Sequence, residues 1–211
     1  MALGEMYKLD KSIQAINCFK EVLKESPFSI STIINLIKLE VKVPEIFGII
    51  SPMISNIPQM SWLTNWIRAQ AYIYSSNVSH AIPILKQMVE TPLFKDNVET
   101  PLFKDNVEIL ISLGESHYHN GDYKSAINDF KKAYCIDPLT FRGMDYYASC
   151  LAKENRLKEL ESLSNDMIKF CESNESSKFP EPWLVLAYYC FLTSKRESKA
   201  FYFVQKVSYS N

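Results

Sequence analysis

The chain has 211 residues, of which 47% are hydrophobic and 22% are charged, and this composition is typical of a globular protein. Lysine and arginine total 23 against 24 aspartates and glutamates, so the sequence lacks the basic excess that favours nucleic-acid binding. The longest strongly apolar stretch, 183–192, is shorter than the roughly 20 residues that span a bilayer, so a membrane partner is not expected.

The first two predicted elements are helical hairpins at 1–27 and 28–60, which we call repeats. In the first repeat, small residues at Gly4 and Ala15 recur with aromatic residues at helical spacing, and the predicted turn is one residue shorter than in later repeats. The second repeat keeps apolar residues at helical spacing but is degenerate. Two prolines interrupt its predicted helices: Pro44 and Pro52.

The third repeat, 61–97, is followed by a tandem duplication. The nonapeptide ETPLFKDNV occurs at 90–98 and again at 99–107. Ala81 and Ala126 occupy equivalent repeat positions 45 residues apart, and without the nine duplicated residues this distance falls to 36, close to the other repeats. We therefore predict that one copy is surplus and lengthens the loop between the third and fourth repeats.

The fourth repeat, 107–140, carries the clearest pattern, VEILISLGESHYHNGDYKSAINDFKKAYCIDPLT. We predict that Gly114 and Ala126 face each other where the two helices cross, because a bulky side chain at either position would push them apart. Phe130 and Ala133 should pack against the following helix, and Pro138 should stop the second helix. The predicted packing residues are Leu113, Gly114, Ala126, Phe130, Ala133 and Pro138.

The last two repeats, 141–172 and 180–211, follow the pattern less strictly. Asn155 marks the turn of the fifth repeat, and Leu160 replaces the usual small residue. The final helix keeps an apolar face without a further repeat to cover it, as expected of an internal piece of a longer array. The six repeats together predict one all-α domain, a right-handed superhelical solenoid of antiparallel tetratricopeptide-type helix pairs covering 1–211.

The functional surface of such an array is its concave groove, which is lined by the first helix of each pair. Residues four apart share one side of a helix, and we predict that this side holds a segment of another protein. Trp66 fits packing between repeats equally well. The predicted groove residues are Trp66, Gln70 and Tyr74 in the third repeat, Ile111, Glu115 and His119 in the fourth, and Asp145, Ser149 and Lys153 in the fifth.

Catalytic, cofactor-binding and metal-binding patterns are missing from the sequence, and we predict neither enzyme activity nor a cofactor. There is no G-x-S-x-G, no glycine-rich phosphate loop and no H-E-x-x-H. His117 and His119 point about 200° apart on a helix, so they cannot share a metal ion, and we expect them at the surface or in the groove. The cysteines form no C-x-x-C pair and are expected to be reduced, buried thiols: Cys18, Cys135, Cys150, Cys171 and Cys190.

Several stretches resemble the subunit 7 family of the anaphase-promoting complex, a family of tetratricopeptide-repeat proteins. They include NIPQMSWLTNWIRAQAYIY at 56–74, IDPLTFRGMDYYASCLAKENRLKELESL at 136–163 and EPWLVLAYYCF at 181–191. The most specific matches are residues that the repeat does not require, DNV at 96–98 and RGMD at 142–145. The likeness covers almost the whole chain apart from the duplicated nonapeptide and one polar loop.

The resemblance implies a non-catalytic scaffold in the cell-cycle ubiquitin ligase, located in the nucleus and cytoplasm. Its implied partners are other tetratricopeptide subunits of the complex, with a homodimer in the full-length protein, while ubiquitin transfer occurs on separate subunits. The repeat alone also fits a generic adaptor in transport, RNA processing or a chaperone-linked complex. A chaperone-tail adaptor is disfavoured because Trp66, Gln70 and Glu115 cannot grip a carboxylate as lysine and arginine do.

Overall fold

The computed structural model describes the backbone of residues 2–54, 61–90, 105–172, 179–193 and 197–209, with the side chains of 12–53, 62–90, 105–169, 179–193 and 199–207. All regular secondary structure in these ranges is helical. The helices are α1 (Ala2–Glu25), α2 (Ile30–Lys38), α3 (Val43–Ile54), α4 (Ser61–Tyr74), α5 (Val78–Glu90), α6 (Val107–His119), α7 (Tyr123–Ile136), α8 (Met144–Lys153), α9 (Leu157–Glu172), α10 (Pro180–Leu192) and α11 (Glu197–Tyr209). The predicted all-α fold of tetratricopeptide-type helices is confirmed.

The described residues group into two compact units: unit 1 runs up to residue 88, and unit 2 contains residues 89–90 and those from 105 onward. In unit 1, α2 and α3 each pack against both α1 and α4. In unit 2, the closest pairs are α6 with α7 and α10 with α11, and α8 packs against α7, α9 and α10. In unit 2, α6, α8 and α10 therefore each pack against the helix that follows in the chain, and α8 also packs against both α6 and α10.

The core of unit 1 is built from branched aliphatic side chains. Its buried cluster contains only leucine and isoleucine, and the aromatic rings of Phe19, Phe47, Trp62 and Trp66 pack against it while partly buried. Burying such side chains supplies about 1.5–3 kcal/mol each relative to exposure, which is the main force that holds these helices together. The cluster members are Leu23, Ile33, Leu36, Ile37, Ile46, Ile50, Leu63 and Ile67.

The core of unit 2 combines small residues with large ones. Ala126, Ala133 and Ala148 are fully buried beside Phe130, whose ring centroid lies 6.1 Å from that of Tyr147 on α8. Phe130 of α7 therefore contacts the following helix, α8. Small side chains let the helices approach closely enough for the aromatic rings to fill the space between them.

Local sequence sets the helix ends in unit 2. The side chains of Asn106 and Asp122 each accept a hydrogen bond of 3.1 Å from a backbone N–H in the first turn of α6 and α7, which caps these helices. Gly121 lies between the two helices with φ at 81°, and Asn155 takes φ at 53° between α8 and α9. Helix α7 ends at Ile136, before the predicted Asp-Pro stop. Both turns and this stop were predicted correctly.

Helix α1 differs from the prediction because it runs without a break from Ala2 to Glu25. The turn that was predicted within the first repeat is wrong. The residues between Tyr7 and Ala15, KLDKSIQ, include neither glycine nor proline, so no residue there stops a helix.

The two prolines of the second repeat do not break its helix, contrary to the prediction. Pro44 is the second residue of α3, where a missing backbone N–H costs little because that group has no partner within the helix. Pro52 lies inside α3, which continues to Ile54. The prediction of an interrupted second helix was therefore wrong: Pro44 lies where a missing N–H is tolerated, and α3 is unbroken at Pro52.

Two further observations concern the chain as a whole. The predicted loop made by the duplicated nonapeptide falls largely on residues 91–104, which lie outside the described residues. Among the helices that the structure describes, none combines the length and apolar character needed to cross a membrane.

Candidate functional site

The packing around Gly114 fixes the spacing of α6, α7 and α8. A Cβ atom placed on Gly114 would lie 2.8 Å from the ring of Phe130, and one placed on Gly143 would lie 2.9 Å from the same ring. Both distances are shorter than normal van der Waals contacts, so these two glycines give the ring its space. The side chain nearest to Gly114 is thus that of Phe130, whereas Ala126 was predicted to face this glycine.

The other predicted packing residues divide into two groups. Leu113, Ala126 and Ala133 are buried in unit 2, as repeat packing requires. Pro138 is exposed, one residue after the Asp137 cap of α7. Pro138 therefore acts on the end of the helix, through its missing N–H, and contributes no buried contact.

A cluster of aromatic rings lies on the side of α6 and α8 that carries the predicted groove residues. The ring centroid of Tyr146 lies 4.9 Å from that of Tyr118 and 5.5 Å from that of His119. Lys153 donates a hydrogen bond of 2.8 Å to the hydroxyl of Tyr123, and its ammonium lies 4.1 Å from the centroid of that ring. The cation thus stacks on the aromatic cluster, an arrangement that holds α8 against α6 and α7.

Next to these rings, Arg142 joins α6 to the segment that precedes α8. Its Nη2 and Nε groups donate to the two carboxylate oxygens of Glu115, at 3.0 and 3.3 Å. Arg142 also pairs with Glu108, which lies about two turns before Glu115 on the same side of α6. A planar guanidinium can form two parallel hydrogen bonds with one carboxylate. The charge of Arg142 is therefore compensated by carboxylates of unit 2 itself.

Several carboxyl groups on this side are partly desolvated. Burial raises the pKa of Glu115 above its ordinary value, although the neighbouring Arg142 opposes the shift. Burial also raises the pKa of Asp145 and of Glu181, whose carboxyl group senses the charge of Asp145. The pKa of Tyr146 is raised by burial and by the charges of Asp145 and Glu115. We call this surface the acidic–aromatic face: Glu115, Tyr118, Asp145, Tyr146 and Glu181.

The structure brings four of the six groove residues predicted in unit 2 to this region: Glu115, His119, Asp145 and Lys153. Ile111 is fully buried in the core, so it offers no surface to a partner. Ser149 is only 4% exposed, and its Oγ lies 3.4 Å from the Tyr118 hydroxyl, where it helps to position that ring.

The three groove residues predicted in unit 1 have different environments. Trp66 is partly buried and packs against the aliphatic core, which is the packing role considered for it in the sequence. Gln70 is 6% exposed and therefore has little surface to offer. Tyr74 is 44% exposed, and the ammonium of Lys38 lies 5.6 Å from its ring centroid.

Sequence reasoning missed two important residues of the acidic–aromatic face region. Tyr118 lies three positions after Glu115 on the same helix, so the i, i+3 relation could have found it beside the i, i+4 set. Arg142 lies before α8, outside any regular helix, and helical spacing carries no information about where such a side chain points. Only the folded chain shows its pairing with Glu115.

The expectation that both histidines of α6 lie at the surface or in the groove is wrong for one of them. His117 is 3% exposed, and its Nδ1–H donates a hydrogen bond of 2.7 Å to the Asp129 carboxylate on α7. His119 is exposed, as predicted. The expectation of buried thiols holds for Cys150 and Cys190 and is wrong for Cys18 and Cys135, which are exposed, while Cys171 lies outside the described side chains. No cluster of three or more potential metal ligands occurs within the described ranges.

Comparison with known proteins gives one consistent result. No family model matches the chain. The chain is 32% identical over 203 residues to anaphase-promoting complex subunit 7 of Mus musculus, and 31% identical over 203 residues to that of Homo sapiens. Each alignment covers 96% of this chain but 33% of the relative, so the chain spans one third of the length of the curated relatives it matches. The resemblance predicted from the sequence motifs is confirmed.

Proposed function

We propose that this chain is part of a protein of the anaphase-promoting complex subunit 7 type and acts as a non-catalytic scaffold that binds other proteins. The observation that carries this proposal is the similarity to those subunits along 96% of the chain, together with the all-helical repeat fold. A cell-cycle role in protein ubiquitination, and a location in nucleus and cytoplasm, follow from the same similarity. The proposed partners are other tetratricopeptide subunits of that complex.

The acidic–aromatic face supports this proposal because it has the composition of a protein-binding surface. Tyrosine rings combine apolar contact area with a hydroxyl group, and they are enriched at protein interfaces for that reason. Tyr118 and Tyr146 are partly buried among carboxyl groups from α6, α8 and α10, so three neighbouring helices contribute to one surface. We propose that a partner contacts this surface through Tyr146, Asp145 and Glu181.

The absence of catalysis is also part of the proposal. Burial raises the pKa of the Cys150 thiol to about 12, so this cysteine stays protonated near neutral pH and is a poor nucleophile. Ubiquitin transfer is accordingly assigned to other subunits of the proposed complex. Incubation of the purified chain with charged ubiquitin-conjugating enzyme should transfer no ubiquitin, and a thioester on any cysteine of the chain would contradict this assignment.

The direct test is affinity capture of the full chain from dividing cells of its own source. Mass spectrometry should identify other subunits of the anaphase-promoting complex among the captured proteins. The double variant Asp145→Lys, Tyr146→Ala should lose these proteins, because it reverses a charge and removes a ring on the acidic–aromatic face. Lys132→Gln, a change of an exposed residue on α7, serves as the matched control and should capture the same subunits as the unaltered chain.

The alternative function is a generic adaptor in transport, RNA processing or a chaperone-linked complex. In that case the same capture would return factors of those processes and no ligase subunits. Capture that is unchanged in the double variant, with an unchanged melting temperature, would remove the acidic–aromatic face from the proposal. The homodimer that the resemblance implies is proposed for the full-length protein only.

A further inference from the structure

A second candidate surface lies in unit 1, where a cavity of about 820 Å³ opens beside the α2–α3 connection. This volume is within the range of about 300–1,000 Å³ that is typical of ligand-binding clefts. Most of its wall is apolar and comes from the start of α3 and the second half of α4. The apolar lining residues that matter here are Val41, Val43, Phe47, Ala71 and Tyr72.

The charged groups at this cavity are mainly positive. Arg68 and Lys42 line it, and Lys38 lies over the ring of Tyr74, another lining residue. Glu40 is the one carboxylate among the described residues that line the cavity. None of these three cations forms an ion pair with another residue in the described part of the chain.

The position of Arg68 shows how the cavity could hold an anion. The carbon of its guanidinium lies 5.9 Å from the ring centroid of Phe47, within the distance at which a cation is attracted to an aromatic ring. A guanidinium can bind a carboxylate with two hydrogen bonds while it also contacts an aromatic ring. Arg142 of unit 2 binds Glu115 with two such hydrogen bonds, whereas Arg68 has no such carboxylate among the described residues.

The first turn of α3 adds to the positive potential. Its N-terminal end, Val43 and Pro44, forms part of the cavity wall, and the N-terminus of a helix carries a partial positive charge. Glu45 in that turn is paired with Lys20 at 2.6 Å, so its charge is compensated on another side. The cavity therefore combines an apolar floor with positive charge from two side chains and one helix end.

We infer that this cavity binds an acidic segment of a partner protein, with one apolar side chain of the segment in the cavity and its carboxylates on Arg68 and Lys42. Charge complementarity supports this binding: cations without an ion-pair partner among the described residues surround an apolar cavity of side-chain size. The inference rests on the proposed role as a protein-binding scaffold, and it adds the chemistry of one partner segment and the place where it binds.

The test uses the purified full chain and two short fluorescent peptides that alternate apolar residues with either glutamate or glutamine. Fluorescence anisotropy should show that the glutamate peptide binds at least about tenfold more tightly than its glutamine twin, since hydrogen bonds to charged groups carry such a difference. Rising salt should weaken the glutamate peptide more than its twin. The variant Arg68→Gln should lose about tenfold in affinity for the glutamate peptide alone.

Two further variants separate binding from folding. Lys132→Gln, which removes an exposed cation of unit 2, should bind the glutamate peptide as the unaltered chain does. Ser75→Trp changes an exposed lining residue to a large ring at the cavity, and it should weaken both peptides by obstructing the apolar site. Melting temperatures close to that of the unaltered chain will show that these variants fold.

Three outcomes would overturn the inference. Equal affinity for both peptides, or an Arg68→Gln variant that folds and binds unchanged, would show that the cations do not select the segment. Inorganic polyphosphate or single-stranded DNA that competes at the affinity of the glutamate peptide would show a plain anion-binding patch. Because these assays need no cell extract, they can fail while capture of ligase subunits succeeds, or succeed while it fails.

Discussion

Unit 1 and unit 2 stack helices in the same manner but fill the space between them with different side chains. In unit 1 the buried cluster consists of leucine and isoleucine, which can adjust their rotamers when the spacing between helices changes. In unit 2 the ring of Phe130 fits against Gly114 and Gly143, and neither position has space for a Cβ. The glycine and aromatic positions of the repeat pattern are therefore a sign of close packing between helices, as in unit 2. The helices of unit 1 pack together without a clear form of this pattern.

The two units also differ in how they use their charges. The Arg142 guanidinium of unit 2 is held by Glu115 and Glu108, and His117 is hydrogen-bonded to Asp129 inside the unit. In unit 1, Arg68 and Lys42 line a cavity and form no ion pair with other described residues. Charged side chains that are paired within a unit contribute to its specificity of folding. Charged side chains without such a partner are available to select another protein.

The strongest test of this comparison changes one glycine in each unit. Gly114→Val should lower the free energy of unfolding by about 3 kcal/mol or more, because its Cβ would lie 2.8 Å from the ring of Phe130. Gly48→Ala in α3 should raise it by about 0.5–1 kcal/mol, because alanine favours helix and no atom lies within 4 Å of the new Cβ. Chemical denaturation followed by circular dichroism measures both.

Similar small effects at the two glycines would mean that Phe130 moves aside easily. The difference between an aromatic ring in a fitted space and an adaptable aliphatic core would then disappear.

The buried polar pair of unit 2 gives a second test. Asp129→Ala should lower the free energy of unfolding by about 2–3 kcal/mol, because it leaves the Nδ1–H of the buried His117 without its acceptor. Lys131→Ala, two residues away, removes an exposed partner of Glu159 at 3.5 Å and should change stability by less than about 0.5 kcal/mol. If urea denaturation gave equal losses of unfolding free energy for both variants, burial would not determine how much such a pair contributes to stability.

A smaller effect is expected at the acidic–aromatic face, where Asp145→Asn tests desolvation. Burial raises the pKa of the Asp145 carboxyl in the folded chain above its value in the unfolded chain. Ionised aspartate therefore disfavours folding above the folded pKa, and this cost vanishes below the unfolded pKa, where both states are protonated. The variant should melt about 2 °C higher near about pH 7, with no gain near about pH 3. A gain of equal size at both pH values would point to a cause other than the charge.

The sequence predicted the helical fold well because its periodicity and turns are local properties. The Gly121 turn, the Asn155 turn and the stop after Ile136 were all correct, since each depends on one or two residues. The continuous α1 and the position of Pro44 were missed for a related reason. For α1 the repeat template suggested a break, and for Pro44 the proline itself did, although in both places the local residues allow a helix.

The candidate surfaces were predictable only in part. Helical spacing shows which side of a helix a residue lies on, but it does not show how deeply the side chain is buried. Spacing of four placed Ile111 on the same side as Glu115, yet the first is fully buried beneath Gly143 while the second reaches the acidic–aromatic face. Arg142 and Lys42 lie between helices, where no period applies. Their roles depend on which neighbouring helix approaches them, and this is decided by packing between elements distant in the sequence.

The smallest effect is expected from deletion of one nonapeptide copy, 99–107, because the identical copy at 90–98 then takes its place before Glu108. If each unit is stabilised by its own core, the deletion should change the free energy of unfolding by less than about 1 kcal/mol. The reason is that the entropy cost of closing a loop depends only weakly on its length. Urea denaturation measures this change, and the glutamate peptide should bind the shortened chain with unchanged affinity. A loss of several kcal/mol would show that the duplicated segment supplies buried contacts, and the two units could then not be treated as independently stabilised.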